Sequence, residues 1–380
     1  MQIIKIMKNV FKIFTLSIVI ALFLASCNVT PAINNLIKSD GFNSSLLDEI
    51  YNNCQLFPNN TEFSIAVIAN DSTKYYGVLR ANDTLRHQSN EKSVFEIGSI
   101  SKVFTSTLLA QQVIENEIKL TDNINEYLDY KLNNGINISL RSLSNHTSGM
   151  PHMPSNAILG TIFNPSNPYK SYSEEKLEEY LREELQMDYP AGEKRQYSNL
   201  GAATIAYVLS KHTNTDYQTM LDKDIFSSYQ MMNSCASFES INRPLVKGLN
   251  PDGRHASNWD LGAMVGAGGI LSTSKDLAKF LQAQFDTTNR ALHLTQQVTH
   301  EDSSGVKAGL GWLISRGNNG NDWFWHNGGT GGYTSCMLFE PKNKIGIVVL
   351  SNISCFHSNS KNIDHLCFNL AESILANEEF

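Results

Sequence analysis

Several marks of common protein classes are missing from this chain. It has no Gly-x-Ser-x-Gly segment, which disfavours the ordinary α/β-hydrolases. It has no Cys-x-x-Cys spacing, and the five cysteines other than Cys27 are an odd number, which argues against a disulfide framework and a zinc knuckle. The net charge is −7 and no cationic run follows the N-terminus, so nucleic acid is not an expected partner.

The chain also lacks a full-length membrane span, although its N-terminus is apolar. Three early lysines precede an apolar run over residues 14–24, which is shorter than the roughly 20 residues that a spanning helix needs. A cationic start, a short apolar run and small residues indicate an export signal over residues 1–26. Leu24-Ala25-Ser26-Cys27 resembles a bacterial lipobox. We therefore expect a lipoprotein held at the membrane of the cell envelope through Cys27; an uncleaved anchor or a plain signal is the alternative.

The remaining sequence has the length and composition of one large domain. Residues 27–44 are rich in Asn and Ser and predict a flexible tether. A hydrophobic content of 41% is ample for a core over residues 45–380. Residues 45–115 and 262–380 mix strand and helix patterns, whereas 116–261 are polar and helix-rich. The predicted fold class is α/β in the α+β sense: an antiparallel sheet from both chain ends, flanked by helices, with a mostly helical insertion.

Strand patterns are clearest at the two ends of this domain. Two runs around an Asn-Asp turn predict a hairpin, and four later runs predict successive antiparallel strands, the last one central. A closing amphipathic segment over 363–375 should pack on the sheet. Residues 150–172 contain four prolines and no periodicity, so we expect a binding loop or lid near the substrate. The predicted strands cover residues 63–68, 75–79, 310–314, 323–326, 333–339 and 345–350.

The first catalytic candidate is Ser99 in Phe95-Glu96-Ile97-Gly98-Ser99-Ile100-Ser101-Lys102. Lys102 follows three residues later, which makes the two side chains neighbours on a helix. Gly98 permits a sharp turn into that helix, whose start favours developing negative charge. Five other Ser-x-x-Lys matches lie mostly in polar surroundings, whereas Ser99 stands between an apolar strand and a buried helix. Those other matches begin at Ser89, Ser173, Ser272, Ser304 and Ser358.

A second candidate is Tyr197-Ser198-Asn199, which precedes a helix. A phenol and an amide two residues apart point the same way if the turn is extended. A tyrosine near a lysine can have a lowered pKa and act as general base on a serine. The alternative is a turn that ends in an Asn cap, and another Tyr-x-Asn begins at Tyr51.

A third candidate, His326-Asn327-Gly328-Gly329-Thr330-Gly331-Gly332, follows an aromatic strand and holds the only His-x-Gly in the chain. Its glycines would let a substrate lie close against the strand edge. The Gly329 N–H would then face the Ser99 N–H across an oxyanion hole, with Asn327 and Gly328 as further substrate-binding candidates. The alternative is an ordinary glycine-rich turn between strands.

Taken in order, these motifs resemble the serine hydrolases of the class C β-lactamase and DD-peptidase superfamily. Their motifs run Ser-x-x-Lys, Tyr-x-Asn and then Lys- or His-x-Gly, whereas the class A enzymes have Ser-Asp-Asn in the middle. The segments 143–151, 266–273 and 310–312 agree with the same pattern. The resemblance implies a β-lactamase/transpeptidase-like fold and no cofactor. His146 and His152, which otherwise look like metal ligands, then belong to a structural loop.

The resemblance also implies a role for each residue. Ser99 would form an acyl-enzyme, and Lys102 and Tyr197 would share the proton transfers. Asn199 would hold Lys102 and the substrate amide, and His326 would replace the usual lysine beside Tyr197. The N–H groups of Ser99 and Gly329 would bind the oxyanion.

Departures from the superfamily pattern narrow the expected substrate. Many penicillin-recognising members carry hydroxyls where this chain has Asn327 and Gly329, and these hydroxyls bind the substrate carboxylate. Their loss removes charge-assisted hydrogen bonds worth about 1.5–3 kcal/mol each. We expect an envelope-anchored hydrolase of an amide or ester in a small molecule or peptide, in particular a D-amino-acid-containing peptide as in DD-carboxypeptidases. The alternatives are a class C-type β-lactamase, an esterase, or an inactive penicillin-recognising binding module.

Overall fold

The computed structural model describes residues 29–36, 44–241 and 243–376. The chain divides into two units, Met1–Pro31 and Ala32–Phe380, and all elements below belong to the second. The predicted signal peptide and Cys27 lie outside the described residues. None of the described helices has both the length and the apolarity that a membrane span requires.

A ten-stranded sheet forms the centre of the second unit, in the order β1-β4-β3-β2-β12-β11-β10-β9-β8-β7. All neighbouring strands are antiparallel except β1 and β4. Both chain ends therefore contribute to one sheet, as predicted. The strands are β1 Ile33–Asn35, β2 Glu62–Ala69, β3 Ser72–Ala81, β4 Thr84–His87, β7 His300–Glu301, β8 Lys307–Ala308, β9 Leu313–Arg316, β10 Asp322–Gly329, β11 Thr334–Glu340 and β12 Ile345–Ser351, while β5 Phe95–Glu96 and β6 Leu271–Ser272 form a separate pair.

Strand β12 is central, as its uninterrupted apolar sequence predicts. It pairs with β11 on one side and β2 on the other. Because side chains alternate along a strand, Val348 and Leu350 enter one core while Ile347 and Val349 enter the other. The sheet is therefore covered on both faces at this point.

Helices cover the two faces unequally. The α1 and α11 helices, from the two ends of the domain, pack on one face. The α2 helix and the helical insertion pack on the other. The helices are α1 Ser44–Cys54, α2 Ser101–Ile114, α3 Leu140–Ser144, α4 Ile158–Phe163, α5 Glu174–Glu179, α6 Asn199–Thr213, α7 Tyr217–Met220, α8 Val265–Gly268, α9 Ser274–Ala283, α10 Arg290–Gln296 and α11 Lys361–Ala376; short 3-10 turns cover 98–100, 124–126, 133–135, 155–157, 238–240 and 262–264, and π-turns cover 180–184 and 221–226.

Part of the predicted tether is structured, so the prediction of a tether over residues 27–44 is wrong there. Ile33–Asn35 pair in parallel with residues 84–86 of β4. Ala32 and Leu36 on either side are buried against the core of α1 and α11. The Asn-rich composition concealed this strand because its pairing with β4 and the burial of Ala32 and Leu36, and not an apolar run, hold it. Ser44, the last residue of the predicted tether, is already helical, and residues 37–43 lie outside the described residues.

The predicted lid at 150–172 is partly helical. A 3-10 turn at 155–157 leads into α4, and the rest is irregular. Of its aromatic residues, Phe163 is 81% exposed, Tyr172 is buried, and Tyr169 lines a cleft described below. The five cysteines of the described residues are all free thiols, four of them buried, as expected for small core residues.

Candidate active site

The nucleophile candidate lies on the turn that joins β5 to α2. Gly98 has a φ of +51°, which favours glycine, and the chain turns there into a 3-10 turn that continues as the α-helix. An added Cβ on Gly98 would lie 2.5 Å from the Gly329 nitrogen, so a larger residue would push the third motif away. Ser99 is half-buried on this turn at the edge of a cleft. The predicted turn and helix are confirmed.

Lys102 is buried within the first turn of α2 and contacts three oxygen atoms. Its Nζ lies 3.0 Å from Ser99 Oγ, 2.8 Å from Asn199 Oδ1 and 2.6 Å from the Ala267 carbonyl oxygen. Burial lowers the pKa of this amine well below its ordinary value, because the charged form loses hydration. The amine donates to Asn199 Oδ1, to the Ala267 carbonyl oxygen and to Ser99 Oγ. Its lowered pKa favours loss of a proton, after which the lone pair can accept the proton of the Ser99 hydroxyl.

Tyr197 reaches the same serine from the other side. Its hydroxyl donates to Ser99 Oγ over 2.6 Å. Ser198 between Tyr197 and Asn199 is extended, with φ −133° and ψ 116°, so both flanking side chains face the serine and lysine as predicted. Ser198, rather than Asn199, caps α6 by accepting a hydrogen bond from the Gly201 N–H.

The electrostatics assign the two proton-transfer groups different tasks. Burial raises the pKa of Tyr197 to about 12, although the hydrogen bond with Ser99 acts in the opposite direction. The expectation of a lowered tyrosine pKa is therefore wrong, because the cost of burying the phenolate outweighs the hydrogen bond with Ser99 and the charge of Arg195, both of which lower the pKa. Lys102 is the better base and Tyr197 the better proton donor.

Two histidines that the sequence placed in a structural loop buttress the tyrosine. The His146 ring lies 4.7 Å from the Tyr197 ring, and its Nδ1 accepts from the Ser198 N–H. The His152 carbonyl accepts from the Asn199 N–H, and His152 Nε2 lies 3.2 Å from Asn199 Nδ2. The described residues contain no group of three or more residues suited to holding a metal ion.

His326 lies beside Tyr197, as predicted, but supplies no charge. The two ring centroids are 6.4 Å apart, and His326 Nδ1 lies 2.6 Å from its neighbour's carbonyl oxygen at Asn327. Burial lowers the pKa of His326 to about 3, and the nearby Lys102 acts in the same direction. The third motif thus presents a neutral imidazole at neutral pH.

The glycines of this motif behave differently from one another. Gly329 lines the cleft beside Ser99, and its nitrogen lies next to Gly98, where an oxyanion hole requires it. Gly328 instead packs against the Ile97 carbonyl oxygen, which a Cβ would approach to 2.0 Å. Gly328 is therefore required by this close packing, and its contact with substrate stays a prediction.

Asn327 contacts the terminal helix. Its Nδ2 donates to Asp364 Oδ2 over 2.8 Å, and Asp364 belongs to α11. His326 and Asn327 are adjacent on β10, so their side chains leave the strand in opposite directions. The Asn327 side chain is thus hydrogen-bonded to the terminal helix, on the side of the strand opposite to His326.

An apolar cleft lies next to this polar group. Its empty volume, open solvent at the mouth included, is about 340 Å³, and Ser99, Asn199 and Gly329 are among the residues that line it. Two of its walls come from loops that lack a catalytic motif: the lid, with Met153 and Tyr169, and the loop with Trp259 and Leu261. Of these two loops, the sequence predicted only the lid to lie near the substrate. Its apolar and aromatic residues are Met153, Tyr169, Trp259, Leu261, Met264 and Ala267.

Sequence reasoning also missed Glu96, three residues before the nucleophile. Its side chain is buried, and Oε1 accepts from the Trp259 N–H over 3.0 Å and from Asn258 Nδ2 over 2.8 Å. Burial raises the pKa of Glu96 to about 7 despite these hydrogen bonds. A charged residue in an otherwise apolar strand is the sequence feature that could have identified Glu96 as a residue of the site.

A hydroxyl between a buried amine and a phenol, with a backbone N–H beside it, is suited to acyl transfer through a serine ester. The fold and the site together define a serine hydrolase. The Beta-lactamase family model matches residues 61–364, and the chain belongs to that family.

Individual relatives are distant but similar over most of their length. The chain is 22% identical to a β-lactamase of Psychrobacter immobilis, over 76% of this chain and 78% of that one. It is 25% identical to the D-alanyl-D-alanine-carboxypeptidase/endopeptidase AmpH of Escherichia coli K12, over 78% and 80%. The solved β-lactamase/D-alanine carboxypeptidase of Pseudomonas syringae has the same fold, with a TM-score of 0.70, 20% identity, and coverage of 89% and 100%.

Proposed function

We propose that this protein hydrolyses an amide or ester bond through an acyl-enzyme on Ser99, and that its substrate is a peptide containing D-amino acids. One observation carries the mechanism: Ser99 Oγ contacts Lys102 Nζ at 3.0 Å and the Tyr197 hydroxyl at 2.6 Å. Such a serine has a proton acceptor on one side and a proton donor on the other.

In this mechanism Ser99 Oγ attacks the substrate carbonyl carbon while its proton passes to the Lys102 amine. The carbonyl oxygen becomes an oxyanion, held by the N–H groups of Ser99 and Gly329, each worth about 3 kcal/mol in the transition state. Tyr197 donates its proton to the leaving nitrogen or oxygen as the bond to it breaks, and the proton on Lys102 restores the phenol. In the second half, water attacks the acyl carbon and gives a proton to the Lys102 amine. The ester bond to Ser99 breaks, Ser99 Oγ takes a proton from Tyr197, the proton on Lys102 restores the phenol, and the acid is released.

The edge of β10 supports a peptide substrate. Pairing between β9 and β10 ends at Trp325 and Leu313, so residues 326–329 have no described strand on that side. An extended peptide can pair with such an edge through backbone hydrogen bonds. The AmpH carboxypeptidase/endopeptidase relative is named for a D-alanyl-D-alanine bond, which favours D-amino acids.

An ester is the second candidate substrate. Neutral His326 gives a substrate carboxylate no ionic partner in the third motif, and this favours substrates without that group. A panel of D-Ala-D-Ala peptides, internal D-amino-acid peptides, p-nitrophenyl esters and nitrocefin, compared by kcat/KM, tests these classes. The kcat/KM values of the peptides should exceed that of nitrocefin. A higher kcat/KM for nitrocefin would make the protein a β-lactamase, and a higher kcat/KM for the esters alone would make it an esterase.

We also propose that the enzyme is a lipoprotein of the cell envelope, anchored through Cys27. The support is the lipobox-like Leu24-Ala25-Ser26-Cys27 after a short apolar run. In a bacterial host, radioactive palmitate should label the protein, and Cys27→Ser should abolish both labelling and membrane sedimentation. Label retained by the serine variant would contradict the anchor without touching the catalytic proposal.

A further inference from the structure

Arg195, two residues before Tyr197, is a cation that the proposed mechanism does not use. Its side chain is half-buried, and its Nε atom is buried with no hydrogen-bond partner among the described residues. Asp302, whose negative charge acts on the guanidinium, accepts hydrogen bonds from the Ser304 and Val306 N–H groups of its own turn. A guanidinium that is partly removed from water without a full set of partners is destabilised, so it is a candidate for binding an anion.

The backbone places the Arg195 side chain on the same side as that of Tyr197. The N–H groups of Gln196 and Ser198 both point at His146, donating to its carbonyl oxygen over 2.8 Å and to its Nδ1 over 3.3 Å. In an extended chain the N–H groups of alternate residues face one side, and the side chains of alternate residues also share a side. Residues 195 and 197 are then separated by about 6.5–7 Å along the chain. The guanidinium therefore leaves the chain on the side of the catalytic phenol.

The electrostatics of the site agree with this placement. Burial raises the pKa of Tyr197 and lowers that of His326, and in both groups the charge of Arg195 lowers the pKa. Screening confines such effects to about 8–10 Å at ordinary salt concentrations. Arg195 thus lies near the phenol and the third-motif imidazole together. It carries the positive charge that the neutral His326 does not, because a guanidinium stays protonated at neutral pH.

The leaving group of the substrate lies on this side of the serine. Tyr197 donates its proton to the leaving nitrogen or oxygen, so that atom is next to the phenol when the bond to it breaks. Substituents on the leaving group are then next to the face that carries Arg195. A guanidinium binds a carboxylate through two parallel hydrogen bonds. In a peptide cleaved at its last bond, the leaving amino acid has its carboxylate carbon two bonds from the leaving nitrogen.

We propose that Arg195 binds a carboxylate on the leaving group and thereby determines which substrates this site accepts. The segment before α6 then supplies the cation that the third motif on β10 lacks. The inference rests on the proposed function, since it takes Ser99 as the acylated residue and Tyr197 as the proton donor. It adds that the bond cleaved precedes a free carboxylate, so that the protein removes the last residue of a peptide.

Two pairs of substrates test the proposal, and the acyl half is constant within each pair. 3-Carboxyphenyl acetate and 3-carbamoylphenyl acetate differ in one group on the leaving phenol, and acetyl-D-Ala-D-Ala differs from its C-terminal amide in the same way. The ratio of kcat/KM for the carboxylate member to that for the amide member is measured for each pair. In the wild type this ratio should be at least about ten, the effect of one charge-assisted hydrogen bond.

Variants assign the preference to one side chain. In Arg195→Gln the ratio should fall to about one, because the kcat/KM of the carboxylate member decreases much more than that of the amide member. Arg195→Lys keeps the charge but loses the planar fork, so its ratio should be intermediate. Lys194→Gln is the matched control, because it removes the same charge one residue away, from an exposed side chain over the Tyr189 ring. It should leave the ratio unchanged.

The possible failures are distinct. If a fluorophosphonate labels Ser99 but the wild-type ratio is about one, or if the preference survives in Arg195→Gln, the inference is overturned and the proposed function stands. A purely structural arginine gives the second result, since both members of a pair then lose activity equally. If Ser99 is not labelled and no ester or peptide is hydrolysed, both are overturned. Should Arg195→Gln fail to fold, an undiminished ratio in Arg195→Lys overturns the assignment to Arg195.

Discussion

The two walls of the cleft differ in how their side chains are fixed. On the polar wall, Lys102 and Tyr197 are held by hydrogen bonds to Ser99, and Asn199 by one to Lys102, all of 2.6–3.0 Å. On the apolar wall, Trp259 and Tyr169 are held by ring packing and by one backbone hydrogen bond to Glu96. The polar wall carries the candidate reacting groups, and the apolar wall carries none of them. Substitutions on the polar wall should therefore cause much larger losses of activity than substitutions on the apolar wall. The losses from different polar-wall residues should also overlap instead of multiplying.

The largest expected effect comes from the nucleophile. Ser99→Ala should lower turnover by on the order of 10⁴ or more and abolish labelling by a fluorophosphonate, because no other oxygen occupies the position between the base and the donor. Ser89→Ala is the matched control, since Ser89 heads another Ser-x-x-Lys tetrad but is paired with Glu91. Labelling that persists in Ser99→Ala would contradict the assignment.

Next in size are the proton-transfer groups. Lys102→Ala and Tyr197→Phe should each lower kcat by about 10²–10⁴, the range of general acid–base contributions. The double variant should lose little more than the worse single variant, because the two groups serve the same proton transfers. A double-variant loss equal to the product of the single losses would break the idea of a shared network.

Glu96 connects the two walls and should reveal itself in stability. Its pKa is raised by burial from 4.5 to about 7, so the folded protein retains a proton that the unfolded chain releases. The contribution of Glu96 to the free energy of unfolding should therefore be largest below about pH 4.5 and fall by roughly 3 kcal/mol as the pH rises to about 7.

Urea unfolding at pH 5 and pH 8 measures this effect. Relative to the wild type, Glu96→Gln should change the difference between the two pH values by about 2–3 kcal/mol, while Glu115→Gln, at an exposed position, should leave the wild-type difference unchanged. An unchanged pH difference in Glu96→Gln would mean that another group carries the linkage.

The smallest expected effect lies at the boundary of the two walls. His152→Ala removes the acceptor beside Asn199 Nδ2, and a neutral hydrogen bond of this kind is worth about 0.5–1.5 kcal/mol. The acylation rate should fall by about two- to tenfold at neutral pH, where burial keeps the pKa of His152 low and the ring neutral.

On acidification His152 takes up a proton and can no longer accept this hydrogen bond. The ratio of wild-type to His152→Ala rates should therefore approach one at low pH, while the exposed control His255→Ala should match the wild type throughout. A ratio that is constant with pH would assign His152 a packing role only.

The polar wall could be predicted from sequence because it is carried by short motifs. Ser99, Lys102, Tyr197, Asn199 and His326 all converge, and the strands and terminal helix follow from alternation and helical periodicity. These patterns depend on residues that are close together in the chain, so they can be recognised from the sequence alone.

What sequence could not supply depends on long-range packing. The pKa of Tyr197 follows from burial, the direction of the Asn327 side chain from Asp364 on the terminal helix, and the wall at Trp259 from Glu96, which is 163 residues away in sequence. Strand β1 was missed for the same reason, since only its partner β4 identifies it.

The central claim is that a neutral Lys102 activates Ser99, and the pH dependence of the acylation rate tests it most directly. Stopped-flow acylation by p-nitrophenyl phenylacetate, with the adduct located by mass spectrometry, gives that rate for Ser99 alone. Burial lowers the pKa of the amine, so the rate should rise and level off well below pH 10. A rate that keeps rising through pH 10, or an adduct on another residue, would contradict the account.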